Sequence, residues 1–134
     1  MNYEEYLQEQ KKKTPRRPPR DEEHRIQCSC VRWFHLQYPA WRGLLFAVPN
    51  GARRDCITGK RLKDEGVLPG VSDLLLLYPS GPYHALCIEM KTPKGRQSVA
   101  QTQWQDTVQK AGCKYTVCRS LDDFITTIRE YLDP

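Results

Sequence analysis

Apolar side chains recur at helical spacing after residue 20, where Ile26, Cys30, Val31 and Phe34 share one face. Asp21 offers an N-cap and Glu22 and Glu23 complement the positive end of a helix dipole, which predicts a first helix from 21 to near 38, before Pro39. The period then shortens. Residues 44–48 read as a short strand ended by Pro49-Asn50-Gly51, and a polar, basic stretch follows with a short helix over 58–65 that Gly66 stops. Residues 73–78 are apolar at successive positions from Leu74, the pattern of a central strand covered on both faces. The turn signal Pro79-Ser80-Gly81-Pro82 joins it to a second strand over 84–90, forming an antiparallel hairpin. Ser98 and Gln101 form an S-x-x-Q capping box for a helix that runs to Ala111 and stops at Gly112. A last strand over 114–118 follows. Ser120 and Asp123 then open a terminal helix whose apolar face carries Phe124, Ile125, Ile128, Tyr131 and Leu132.

The order helix, three strands, helix, strand, helix predicts an α/β fold with a mixed sheet of about four strands flanked by helices. The connection from the third strand through the Ser98 helix to the last strand should be a parallel, right-handed crossover. Residues 21–134 are expected to form one domain. Residues 1–20 combine charge with Pro15, Pro18 and Pro19, which disfavour helix, and are expected to be a mobile basic arm.

Composition narrows the class. A chain of 134 residues supports one modest core, and 39% hydrophobic with 28% charged residues is the balance of a soluble globular protein. The longest aliphatic run, residues 74–77, is far too short to span a bilayer, and residues 1–13 lack the apolar stretch of a secretory signal. A cytoplasmic protein without membrane contact is expected. More than half of the net charge of +5 lies in the first twenty residues, with Lys11, Lys12, Lys13, Arg16, Arg17 and Arg20, which suits a polyanionic partner such as nucleic acid. Six cysteines at Cys28, Cys30, Cys56, Cys87, Cys113 and Cys118 contain no C-x-x-C pair, so reduced, partly buried thiols are expected rather than disulfides or zinc. No glycine loop of the kind that cradles an organic cofactor is present, and none is expected to bind.

Counting along the hairpin yields candidate chemistry. With the turn centred near Gly81, Asp73 and Glu89 are equally distant from it and face each other on neighbouring strands. Directly opposed residues have Cα atoms about 4.5 to 5.5 Å apart, close enough for two side chains to share a ligand. Lys91, two residues beyond Glu89, points to the same face. Two carboxylates in near contact either share a proton or hold a cation, and oxygen ligands at this separation suit Mg²⁺ or Mn²⁺. Lys91 would complete such a site by orienting or deprotonating a water or by neutralising developing charge. Taken alone, Asp73 could equally be the start of a strand and Glu89 and Lys91 an alternating exposed pair at its end.

The residues Gly70-Val71-Ser72-Asp73, Ile88-Glu89-Met90-Lys91 and Ser98-x-x-Gln101-x-x-Trp104 closely resemble the virus-type replication-repair nuclease (VRR-NUC) domain of the PD-(D/E)XK nuclease superfamily. The likeness runs over about residues 23–132, with Pro49-Asn50-Gly51 and the segment 62–66 in the same order. The resemblance implies a PD-(D/E)XK-like core and a metal-dependent phosphodiesterase acting on DNA, with Asp73 and Glu89 as metal ligands and Lys91 as the catalytic lysine. It also implies that Glu23 lies near the metal and Gln101 beside the active site, while the Met90 backbone carbonyl could reach the ion. Glu23 has a rival role in the helix dipole and Gln101 in the capping box. Ser72 departs from the family, which has proline before the aspartate.

Arg53, Arg54, Lys60, Arg61, Lys63, Lys94 and Arg96 form the expected DNA-contact set, and contacts of this kind respond to DNA shape rather than to a base sequence. The resemblance further implies endonucleolytic hydrolysis that leaves 5′-phosphate and 3′-hydroxyl ends, by a homodimer serving phage or bacterial replication and repair, and branched duplex DNA such as a Holliday junction is the expected substrate. Two alternatives stay open: a non-catalytic DNA-binding module on the same fold, and a restriction or end-resection nuclease.

Overall fold

In a strand, alternate side chains point to opposite sides of the sheet, and this alternation sorts the core of the protein from its chemistry. The computed structural model describes residues 2–5, 8, 19–49 and 56–133. Its elements run α1 (Pro19–Gln37), a 3₁₀ segment (Pro39–Leu44), β1 (Leu45–Ala47), α2 (Cys56–Asp64), β2 (Leu74–Leu76), β3 (Leu86–Met90), α3 (Val99–Lys110), β4 (Lys114–Cys118) and α4 (Leu121–Leu132). The strands form one sheet in the order β1-β2-β3-β4, antiparallel between β1, β2 and β3, and parallel between β3 and β4. The mixed α/β sheet with flanking helices is the architecture expected from the sequence.

Leu86, Ile88 and Met90 of β3 lie on one face with their partners Leu74, Leu76 and Cys118, and all are fully buried. This face meets Cys30 and Phe34 of α1 and Phe124, Ile128 and Tyr131 of α4, and together they make the core. Trp33 closes one end with its ring edge-on to Phe124 at 6.0 Å. The opposite face of β3 carries Cys87 and Glu89, aligned with Tyr115 and Val117 of β4. Tyr115 packs against Trp104 of α3, so α3 covers this second face. One side of the sheet is therefore apolar, and the other holds a buried carboxylate.

Several details differ from the sequence-based expectation. The first helix begins at Pro19 rather than being capped by Asp21, because proline fits a first helical position whose N–H would bond to nothing; Asp21 and Glu22 lie in its first turn. Within the expected mobile arm, Asn2 and Glu5 exchange reciprocal hydrogen bonds, with the Asn2 side chain accepting from the Glu5 N–H at 2.7 Å, while the basic residues from Lys11 to Arg17 lie outside the described residues. The 3₁₀ segment after Pro39 was not expected. Full coverage on both faces belongs to β3, not to β2, where Leu75 is half-buried and Leu77 just beyond is exposed. The sheet interior is filled by the strand with neighbours and helices on every side.

The hairpin closes at a pair of mutual backbone bonds between Ser80 and Tyr83, one step out of phase with the strands, where Leu76 faces Leu86. The slip lies between these points, while the Leu77 N–H donates to Leu44 O at 2.9 Å and extends the β1–β2 pairing by one step. Tyr131 donates its hydroxyl to Tyr78 O and accepts on its own carbonyl from the Ser80 hydroxyl, pinning the hairpin to the end of α4. No helix among the described residues is long and apolar enough to cross a membrane. Cys30, Cys87 and Cys118 are buried free thiols, and burial pushes Cys30 and Cys87 up to about 12, so these two stay protonated and inert.

Since Phe124 is fully buried between α1 and the sheet, Phe124→Ala is expected to lower the unfolding free energy by about 3–5 kcal/mol, read from urea denaturation.

Candidate active site

The pairing of Leu74 with Ile88 carries Asp73 opposite Glu89 one step further along the hairpin. Asp73 stands where the ladder between β2 and β3 ends, and its carbonyl still accepts from Val48 N at 2.9 Å. Its side chain continues the ladder in another form. The Met90 N–H, left without a strand carbonyl, donates to Asp73 Oδ2 at 2.7 Å, a charge-assisted bond that aims the carboxylate along β3. Ser72 is fully buried, with its hydroxyl donating to Leu74 O at 3.1 Å, so a side-chain bond shapes the approach to Asp73.

Gly70 brings this approach against α3. It has φ +87°, and a Cβ there would lie 2.4 Å from Ala100 O, so only glycine lets the loop before Asp73 touch the first turn of the helix. That turn carries Gln101, three residues past the Ser98 cap. The Gln101 Oε1 accepts from the Ser98 N–H at 2.8 Å, which completes the capping box, and its Nε2 donates to Glu89 Oε1 at 2.9 Å. One amide thus makes both contacts: its oxygen caps the helix and its nitrogen holds the acid.

Glu89 is 1% exposed. Besides Gln101, its Oε1 faces Lys91 Nζ at 3.9 Å, while Oε2 is buried with no N–H or hydroxyl donor beside it. Burial first, and then the charge of the neighbouring Asp73 and a hydrogen bond shared with it, push Glu89 up to about 9, against the pull of Lys91. Tyr115, on the same face of β4, is pushed up to about 12 by burial and then by Glu89. Glu23 at the start of α1 reaches this centre from the side: its carboxyl is raised by burial, opposed by Lys91 and reinforced by Asp73.

Asp73, Glu89, Lys91, Gln101, Glu23 and the backbone of Met90 therefore converge, while the Met90 side chain is part of the core. No three His, Cys, Asp or Glu side chains among the described residues are gathered tightly enough to hold a metal by themselves. The centre offers a carboxylate pair with one oxygen that meets no N–H or hydroxyl donor, and a hard cation that keeps several waters suits such a pair.

The cationic set is dispersed. Lys94 and Arg96 are exposed in the loop directly after Lys91, and Lys60, Arg61 and Lys63 are exposed on or beside α2; Arg53 and Arg54 lie outside the described residues. The sequence reading missed Arg32 and Arg42, which with Gln27 and His35 border a groove of about 660 Å³ that begins at Glu23. It also missed Arg119, whose contacts are with main-chain carbonyls and leave no trace in residue spacing.

Residues 20–122 match the family model described as the VRR-NUC domain. A solved structure named as a VRR_NUC domain protein shares the fold with a TM-score of 0.71 at 24% identity, over 81% of this chain and 86% of that chain. No curated protein matches the sequence.

Glu89 binds its proton more tightly in the folded protein than in the unfolded chain, where a carboxyl titrates near 4.5. Without metal, the stability this provides is fully present below that value and is lost as pH rises toward about 9. In EDTA, thermal melts across this range should show falling stability for the native protein and a flatter profile for Glu89→Gln, which should be the more stable of the two at pH 8.

Proposed function

Because the chain belongs to the VRR-NUC domain family, a nuclease-type family, we propose that it is a divalent-metal-dependent DNA endonuclease in which Asp73 and Glu89 hold Mg²⁺ or Mn²⁺. The observation that carries this reading is the buried Glu89 carboxyl, whose Oε2 meets no N–H or hydroxyl donor, beside a second carboxyl group. An anion pair removed from water is unfavourable unless a proton or a cation joins it. A bound divalent ion would supply Lewis acidity toward a phosphate oxygen and acidify the attacking water.

The side chains divide the remaining work. Asp73 is held by the Met90 N–H and Glu89 by the Gln101 amide, so neither acid has to reorganise to receive an ion. Lys91 is largely buried, with its Nζ directed at the acid pair, where it orients the water or balances charge as the phosphodiester is attacked. Glu23 borders the same space and would add a further oxygen near the pair. Arg32 and Arg42, with Lys60, Arg61, Lys63, Lys94 and Arg96, would neutralise the DNA backbone on either side, positioning a duplex without reading its bases.

Branched duplex DNA is the proposed substrate and a homodimer the proposed assembly, since two copies related by a twofold axis would offer one site to each of two symmetric strands. Such a protein would act in the cytoplasm of a bacterial or phage-infected cell. Purified protein incubated with four-way-junction and linear DNA is expected to cut the junction in Mg²⁺ and nothing in EDTA. Lys91→Ala should lower kcat on the order of 10²- to 10³-fold while still binding DNA. Inactivity on every DNA with Mg²⁺ or Mn²⁺, or binding and cutting indifferent to Lys91, would overturn the reading.

A further inference from the structure

Lys91 lies at the end of β3, and the chain turns sharply just beyond it. The Gly95 N–H donates to Thr92 O at 3.1 Å, closing a tight turn over residues 92–95. Gly95 rests against the lysine stem: a Cβ placed there would lie 3.4 Å from Lys91 Cδ and 3.1 Å from Thr92 Oγ1. The turn is thus a backstop for the Lys91 side chain.

What holds this turn comes from elsewhere in the sheet. Arg119 follows β4, and its Nη1 donates to Gly95 O at 2.6 Å and to Thr92 O at 2.8 Å, with Pro93 O farther off at 3.4 Å. The Arg119 N–H in turn donates to Asp123 Oδ2 at 2.9 Å in the first turn of α4, which fixes the base of the arginine. The parallel pairing of Met90 with Cys118 and the bond from Lys91 N to Cys118 O at 3.0 Å place the start of Arg119 beside Lys91. A guanidinium bonded to main-chain carbonyls rather than to an acid keeps its charge near the site, but its donors on Nη1 are committed to the turn.

We propose that Arg119 is a positioning residue for Lys91, acting through the 92–95 turn rather than by touching DNA or metal. This rests on the reading of Lys91 as the residue that serves the attacking water. Without the guanidinium the Gly95 carbonyl loses its donor, the Thr92 carbonyl keeps only the Gly95 N–H, the turn loosens, and the lysine stem loses the surface against which it rests. A displacement on the order of 1 Å at a reacting group costs about 100-fold in rate.

The test compares Arg119→Ala and Arg119→Lys with the native protein for kcat and KM on four-way-junction DNA, and for hydrogen exchange at the Gly95 amide. A lysine at 119 can reach one carbonyl but lacks the planar fork, so kcat should fall about 100-fold in Arg119→Ala and less in Arg119→Lys, with KM little changed in both. The Gly95 amide should exchange faster in the same order. Native kcat in a folded Arg119→Lys and Arg119→Ala would overturn the proposal, as would a loss confined to KM, which would mark Arg119 as a DNA contact. If Arg119→Ala does not fold, Arg119→Lys alone decides by the same readings. If the native protein cuts no DNA, the functional reading fails by itself, and unchanged Gly95 exchange in Arg119→Lys would separately refute the clamp.

Discussion

Two carboxylates share one largely dehydrated space, and much of the structure can be understood as what makes that arrangement tolerable. Moving Glu89 out of water disfavours its charge, and placing Asp73 beside it adds repulsion, so the acid is pushed up to about 9. The protein offsets this with three oriented donors: the Met90 N–H on Asp73, the Gln101 amide on Glu89, and the Lys91 ammonium facing Glu89. One oxygen is left over. A fold selected only for stability would replace such a pair by apolar side chains, because an incompletely satisfied buried charge is costly.

The sheet explains how the acids come to be there. On β3, the residues facing α1 and α4 are Leu86, Ile88 and Met90, and they bind the strand into the core. Their alternates, Cys87 and Glu89, face α3, so rigid burial on one side fixes the position of a carboxyl group on the other. A shift of register by one residue would exchange the two sets and drive Glu89 into the apolar core, which makes the pairing strongly specified. Rigidity at the site is therefore inherited from the hydrophobic face behind it, and Gly70 extends it to the helix that carries Gln101.

Much of this was legible in the residue pattern. The order of elements, the capping box of α3, the Ser120 N-cap of α4 and the opposition of Asp73 and Glu89 follow from periodicity and from counting outward from Gly81. The counting succeeded although the turn itself closes one step out of phase, because the irregular step lies between turn and strands. Less legible were features that depend on neighbours remote in sequence. The start of α1 at Pro19 and the 3₁₀ segment after Pro39 reflect local backbone geometry that leaves the apolar period unchanged. That β3 rather than β2 is enclosed on every side depends on which helices cover which strand. Arg119 bonds to carbonyls, which every residue possesses, so no spacing of side chains announces it.

The most direct measurement is calorimetric titration of the metal-free protein with Mn²⁺ at pH 7 in buffers of different ionisation enthalpy, which counts the protons released on binding. If the leftover oxygen of Glu89 belongs to a cation site, binding should be saturable and should expel a proton, and Glu89→Gln should bind more weakly and release none. Saturable binding without proton release, or no binding at all, would show that the buried pair is satisfied in some other way.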